Sequence, residues 1–554
     1  MDQDFESLMQ SFLRFQFNFN PLMAFKSGWR EYGGKLPQVN KETISIYSRK
    51  LKRYKTQIGK FDKDSLSEVQ RLDLLVMDNR IDSELFSIDE IRMFNTYPMI
   101  YGWMSGIHEY LLKEYAPLEE RLEDLSGHLL SLELLYKDAI DNLDENLAPE
   151  LIQMAVFMLQ GNQEFITNLD EEIKHIEADF TPSPEIAEML ERSKESGLVA
   201  IQLLLEFLEK KQETATGSYK LGKKLFLKML SANERVDLSI EEILIAGQKN
   251  LDHNLEEMNK AANAIDSSKS VEEIMDDIRH NHPRASELIS TTQSMLEEIR
   301  EFLIEKKIVS VPSEDRITVI ETPKSMRRWA FAACDTPGAL EMKATNSYYY
   351  ITPPDDDWSE KEKEDWLGTF NYPGLLDISV HEVWPGHYLH HLHNQRSKSL
   401  MSKLFGAYHF WEGYALHVED AMWDAGFQAG DHKYRMAQLS ETLLRNVRLI
   451  VAINLHTDEN YTVADGTELF KKYAFLGEKP AESEANRGTF DPGYLNYALG
   501  KLMIEKLQSD YKTELIIEGK EYTNLDFYDT LLSFGAPPIP ILRQFMLKNK
   551  GSVL

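Results

Sequence analysis

The sequence predicts a mainly α-helical protein with one small β-sheet placed directly before a histidine-rich helix. Three observations predict it. Up to about Pro312, apolar residues recur at threes and fours with Glu and Lys between them, as in Ile201, Leu204 and Leu208, which places them on one helix face. Helix starts carry capping boxes, Ser239 with Glu242 and Ser270 with Glu273, in which a hydroxyl and a carboxylate satisfy each other's free backbone donors. After Val311-Pro312 the pattern turns to the alternation expected of half-buried strands.

Taken in order, residues 1–310 form a helical region, with loops where Pro, Gly and Ser gather at Thr181-Pro182-Ser183-Pro184 and Thr216-Gly217-Ser218. Residues 311–554 form a second region that continues the same fold. Arg316 to Thr322 reads as a strand, Trp329 to Cys334 as another and Tyr348 to Thr352 as a third, ended by Pro353 to Asp357. Such a sheet either pairs its edge with an extended substrate backbone or serves as a structural hairpin. Leu375 to Val380 then starts a helix that leads into His381. A further helix carries Trp411 to Glu419, and an apolar one, Leu443 to Val451, holds Arg445 and Arg448 one turn apart. Those arginines either pair with buried acids or contact a substrate. Finally Arg487 and, after the turn Asp491-Pro492-Gly493, Tyr497 are donors of the kind that stabilise a tetrahedral oxyanion.

Composition narrows the function classes. The 554 residues include 61 Lys and Arg against 91 Asp and Glu, a formal charge of -30, which repels nucleic acid and anionic membranes alike. With 42% hydrophobic and 27% charged residues the chain is globular. A lone cysteine, Cys334, excludes a disulfide framework and cysteine-rich zinc sites, so any metal is held by His and carboxylates. An acidic start without a leader pattern, and no apolar run of spanning length, lead to the expectation of a cytoplasmic protein with no membrane partner. A homodimer is compatible with this composition.

The chemistry concentrates in His381-Glu382-Val383-Trp384-Pro385-Gly386-His387, followed by His390, His391 and His393. A histidine followed at once by glutamate is the pairing by which zinc hydrolases combine a ligand with a general base. The spacing differs from the usual i, i+4 motif. Six residues on a straight helix turn the side chain by about 240° and rise about 9 Å, so His381 and His387 meet one ion only if the helix is interrupted. Pro385-Gly386 is the dipeptide that can interrupt it. A rival pair, His387 and His391, needs no bulge but lacks a glutamate after its first histidine. The plain alternative to a metal site is a polar or surface histidine face. Glu412 lies 25 residues past His387, enough chain for a helix to return a carboxylate, and Glu419, two turns on from it, can orient a ligand.

His-Glu-x-x-Pro-Gly-His, with Glu412-Gly413-Tyr414-Ala415-Leu416, Arg487, Pro492-Gly493 and Tyr497, resembles the bacterial and archaeal domain-of-unknown-function family 885. Weaker similarity covers most of the chain, including Tyr219-Lys220-Leu221-Gly222 and Asn371-Tyr372-Pro373. The family is similar in fold to the Taq-type zinc carboxypeptidases, helical proteins whose two lobes flank a deep groove with the metal at its floor. This resemblance implies that residues 1–310 form part of both groove walls and 311–554 the catalytic region. It implies zinc held by His381, His387 and Glu412, with Glu382 as general base and Tyr497 or Arg487 supporting the oxyanion. Dipeptidyl peptidase III has a similarly lengthened His-Glu motif, one residue shorter than this one. The chain departs from the family pattern at His417, where Tyr is usual and His adds a metal-binding or proton-transfer group, and at Ala452, where Asp is usual. The expected function is therefore a zinc-dependent carboxypeptidase or oligopeptidase acting on short peptides in a groove. The alternatives are a metal-dependent hydrolase of another amide or ester, or a silent peptide-binding protein on the same scaffold.

Overall fold

A computed structural model describes residues 2–323, 326–327, 331–549 and 551–554. The chain divides into two compact units, Met1–Tyr219 with Pro337–Thr345, and Lys220–Thr336 with Asn346–Leu554.

The first unit is helical. Its long helices Leu118–Asn142 and Pro184–Gln212 pack together through Leu122, Leu125, Leu129 and Leu132 from one and Leu190, Ile201, Leu204 and Leu208 from the other, all buried. Pro184 opens its helix with Ser183 at the cap, as the Pro-Ser run predicts. The short segment Pro337–Thr345 joins this unit: Leu340 N–H donates to Ser27 O (2.8 Å) and Glu341 pairs with Arg30.

The second unit holds the sheet and the histidine helices. The capping boxes at Ser239 and Ser270 are both formed. Helix Ile240–Asp266 lies against a helix at His432–Thr457, where the Asn254 amide donates to Asn446 Oδ1 (2.8 Å) in the buried seam. The division after Tyr219 leaves the helices between Lys220 and Lys306 in the same unit as the sheet. The helices between Lys220 and Lys306 bury their apolar faces against later elements, a choice made by packing and invisible to local periodicity.

Strands β1 (Thr318–Glu321), β2 (Ala332–Asp335) and β3 (Tyr348–Ile351) form one sheet in the order β1-β3-β2, parallel between β1 and β3 and antiparallel between β2 and β3. All three expected strands are present in shortened form; the start expected for the second, at Trp329, lies outside the described residues. Tyr349 is the central partner, opposite Val319 and Cys334, and β2 is left as an edge. Six later helices carry the candidate site and its supports: α1 (Tyr372–Glu382), α2 (His387–Asn394), α3 (Tyr408–Asp424), α4 (His432–Thr457), α5 (Glu478–Phe490) and α6 (Asn496–Ile517).

Candidate metal centre

Helix α1 is capped by Asn371, whose side chain accepts from Gly374 N–H (2.9 Å), and buries Leu375, Leu376 and Val380. It ends at Glu382, and α2 begins at His387. The four residues between them form the interruption that the six-residue spacing demands, with a cis Trp384–Pro385 peptide bond. Gly386 N–H donates to Val380 O (3.0 Å) and Leu389 N–H to Val383 O (3.2 Å), while Tyr414 of α3 donates to Pro385 O (3.0 Å). A Cβ on Gly386 would lie 1.7 Å from the His381 carbonyl oxygen and 2.6 Å from that of Val380. Its φ is -71°, so the glycine is needed for close backbone approach and not for a left-handed conformation. The outcome is that the rings of His381 and His387 stand with centroids 4.9 Å apart and nearly perpendicular, at 89°.

Glu412 Oε2 lies 3.6 Å from His381 Nε2 and 3.5 Å from His387 Nε2. Donor atoms bound tetrahedrally at zinc distances of about 2.0–2.1 Å stand roughly 3.3–3.4 Å from one another, so these two edges are close to those an ion requires. His381 Nδ1 is 2.6 Å from Glu419 Oε1, and Glu419 is 1% exposed. That contact keeps the proton on Nδ1 and aims Nε2 at Glu412, the carboxylate–histidine support common to zinc ligands. Burial alone would lower the His381 imidazole, but Glu412 and Glu419 outweigh it and push it up to about 10. Glu412 is likewise opposed by burial, yet the His387 and His381 rings lower it overall.

Glu382 belongs to the same cluster: donor atoms of His381, Glu382 and His387 all lie within 4.8 Å of one another. Two carboxylates therefore compete for the third position. Glu412 Oε2 touches both rings, whereas Glu382 Oε2 accepts the Cys334 N–H of edge strand β2 at 3.0 Å. Glu412 thus stands between the two rings, and Glu382 stands beside them against the sheet edge.

Helices α3 and α6 cross where a Cβ on Gly413 would lie 2.5 Å from the Gly500 backbone and one on Gly500 1.9 Å from His409 O. Tyr497 sits one turn before Gly500 and so beside Glu412, whose charge, together with the larger effect of burial, raises the phenol. It therefore keeps its proton and stays a donor. Three guanidinium carbons face its ring, those of Arg445 (5.8 Å), Arg448 (5.1 Å) and Arg487 (5.9 Å). Each has an acid: Glu441 pairs with Arg445, Glu484 holds Arg448 through two bonds of 2.7 Å, and Asp491 lies 3.0 Å from Arg487. Arg487 also donates to Tyr408 OH (3.3 Å). Arg487 is thus engaged by Asp491 and Tyr408 beside the Tyr497 ring. Arg445 and Arg448 follow the reading in which such arginines pair with acids.

His417 does not join the cluster. It is buried, its Nε2 meets Tyr528 OH (2.8 Å), and burial lowers it to about 4. His393 Nε2 contacts Ser310 O (2.8 Å), and His390 packs among Phe410, Trp411 and Tyr414. Among the described residues the metal-capable group is His381, Glu382 and His387. Sequence reasoning missed Glu484, Tyr408 and Asp377. Asp377 is fully buried one turn before His381, takes a hydrogen bond from Tyr434 OH (3.4 Å), and is raised well above the usual carboxylate range by burial and by the Glu419 charge. Its i−4 position on the face of His381 was the available signal.

The family model described as "Bacterial protein of unknown function (DUF885)" matches residues 21–546. No curated protein matches the chain. Among solved structures, "a putative lipoprotein of unknown function" from Shewanella oneidensis superposes with a TM-score of 0.82 at 21% identity, over 98% of this chain and 100% of that one. A "putative lipoprotein" from Colwellia psychrerythraea gives a TM-score of 0.82 at 17% identity, over 98% and 97%. At these identities the likeness extends to the fold.

Proposed function

Because the chain belongs to DUF885, a family whose description names no activity, we propose a function from the site itself: zinc-dependent hydrolysis of short peptides, of carboxypeptidase or oligopeptidase type. The observation that carries this reading is the approach of Glu412 Oε2 to 3.6 Å from His381 Nε2 and 3.5 Å from His387 Nε2, with Glu382 beside them. When bound there, zinc supplies Lewis acidity and lowers the pKa of water towards about 7. His381 and His387 present Nε2, Glu419 fixes the tautomer of His381, and Glu412 closes the site. Glu382 takes the proton of the attacking water and delivers it to the leaving amine. Tyr497 donates a hydrogen bond to the oxyanion, with Arg487 and Tyr408 holding the surrounding charge in place. The edge strand β2, bonded to Glu382 through Cys334, suits an extended peptide backbone.

The test is metal analysis of the purified protein together with a mixed-peptide digest read by mass spectrometry. Ladders losing C-terminal residues support a carboxypeptidase and internal cuts an oligopeptidase. Intact peptides with stoichiometric zinc reject the peptidase reading in favour of another amide or ester substrate or a silent binder. Among the described residues no helix is long and apolar enough to cross a membrane. Cell fractionation distinguishes the cytoplasmic location expected from the sequence from the envelope location that the neighbours' descriptions as lipoproteins would favour.

A further inference from the structure

A cavity of about 350 Å³ in the second unit is walled chiefly by Phe331, Trp366, Ile378, Met436 and Leu476. Three of its walls belong to elements that also carry residues of the metal centre or its supports. Ile378 lies four residues before Glu382 on α1, so the two side chains share a face about 6 Å apart along the axis. Phe331 directly precedes β2 and stands three residues, about 10 Å of strand, before Cys334, whose N–H binds Glu382. On α4, the lining residue Glu441 pairs with Arg445, which faces the Tyr497 ring at 5.8 Å.

The wall is preformed and apolar. Trp366 donates its indole N–H to Thr352 O (2.9 Å) and so shows only its ring; Phe331 packs 4.9 Å from Phe370 yet remains 38% exposed. The polar groups of the lining are largely consumed within the protein. Asn371 caps α1, Thr369 Oγ1 donates to Trp366 O (2.6 Å) and Glu441 is paired with Arg445, while Arg279 is turned to solvent at the rim. A charged or amide side chain entering here would lose water and find few partners. A ring or branched aliphatic chain fills a space of this size and gains from burial.

We infer that this cavity receives a large apolar or aromatic side chain of the substrate, beside the bond that Glu382 serves; the inference rests on the hydrolase reading. The zinc-loaded full chain is assayed on peptides that differ only in one residue flanking the cut. Phe should exceed Ala in kcat/KM by roughly 10- to 100-fold. Ala437→Phe fills the cavity from α4 without touching a metal ligand, and should erase that preference while Ala peptides keep the parent rate. Ser440→Phe, one turn on, replaces it if the first variant does not fold. Equal rates for Phe and Ala peptides, or a preference that both filled variants retain, overturn the inference. If the parent cuts no peptide, the hydrolase reading fails separately, and the metal-free chain then decides: N-acetylphenylalaninamide is titrated against N-acetylalaninamide by saturation-transfer NMR. Selective binding of the former that Ala437→Phe abolishes supports the cavity, and its absence overturns it.

Discussion

Substituting Gly386 by Ala tests the link between the helix interruption and the metal site. A Cβ at this position would sit 1.7 Å from the His381 carbonyl oxygen, where contacts under 3.0 Å are essentially never seen. The offending atoms are backbone, so the Val383–Gly386 segment has to move by roughly 1.3 Å relative to α1. Metal–ligand distances tolerate only about ±0.2 Å. A shift of that size takes His387 out of reach of an ion held by His381 and Glu412, and zinc affinity should fall by about two orders of magnitude or more, beyond the 10- to 100-fold typical of losing an outer support. Overpacking should also cost about 1–3 kcal/mol of stability. Gly247→Ala is the control, because its Cβ would meet the flexible Leu449 Cδ2 at 2.5 Å and the two residues lie on helices that carry none of the proposed ligands. It should lower Tm yet leave zinc affinity intact. Chelator competition on both variants, with circular dichroism to verify folding, makes the comparison. Zinc affinity within about threefold of the parent in a folded Gly386→Ala protein would show that the close approach does not hold the two histidines together.

Glu382→Gln keeps shape but cannot accept a proton, so turnover of a digest-derived peptide should fall by roughly two to four orders of magnitude with zinc content unchanged; loss of zinc instead would make Glu382 the third ligand. Tyr497→Phe should reduce kcat by roughly 10- to 100-fold with little change in KM, and an unaltered kcat would exclude the phenol as oxyanion donor. Glu419→Gln should weaken zinc binding by roughly 10- to 100-fold, measured by the same chelator competition; unchanged affinity would remove its orienting role. The metal-free protein should also show the His381 linkage. Its imidazole is raised from 6.5 to about 10 in the fold, so its stabilising contribution is fully present below about pH 6.5 and is lost as pH rises through 10. Zinc must displace that proton, so its affinity should climb with pH across this window, and calorimetry in buffers of different ionisation enthalpy should detect about one proton released per ion.

Several features needed only the local chain. The 3.6-residue periodicity, the capping boxes at Ser239 and Ser270 and the alternation before β3 each reflect interactions among residues near in sequence, and all appear where expected. The interruption between His381 and His387 was equally legible, because rotation per residue alone forbids the two rings from meeting on a straight helix. Glu412 and Glu419 were legible as residues on one helix face, one to return a carboxylate and one to orient a ligand, though the histidine that Glu419 meets was not. Other features were decided by tertiary packing. The crossing of α3 and α6 at Gly413 and Gly500 places Tyr497 beside Glu412; the choice of Glu484 for Arg448 and of Tyr528 for His417 depends on helices distant in sequence; and the division after Tyr219 follows which apolar faces cover each other. The need for glycine at position 386 is itself local, set by the His381 carbonyl oxygen 1.7 Å from where a Cβ would stand. Local spacing determines which side chains share a face, whereas partner, depth and charge state depend on what the fold packs against that face.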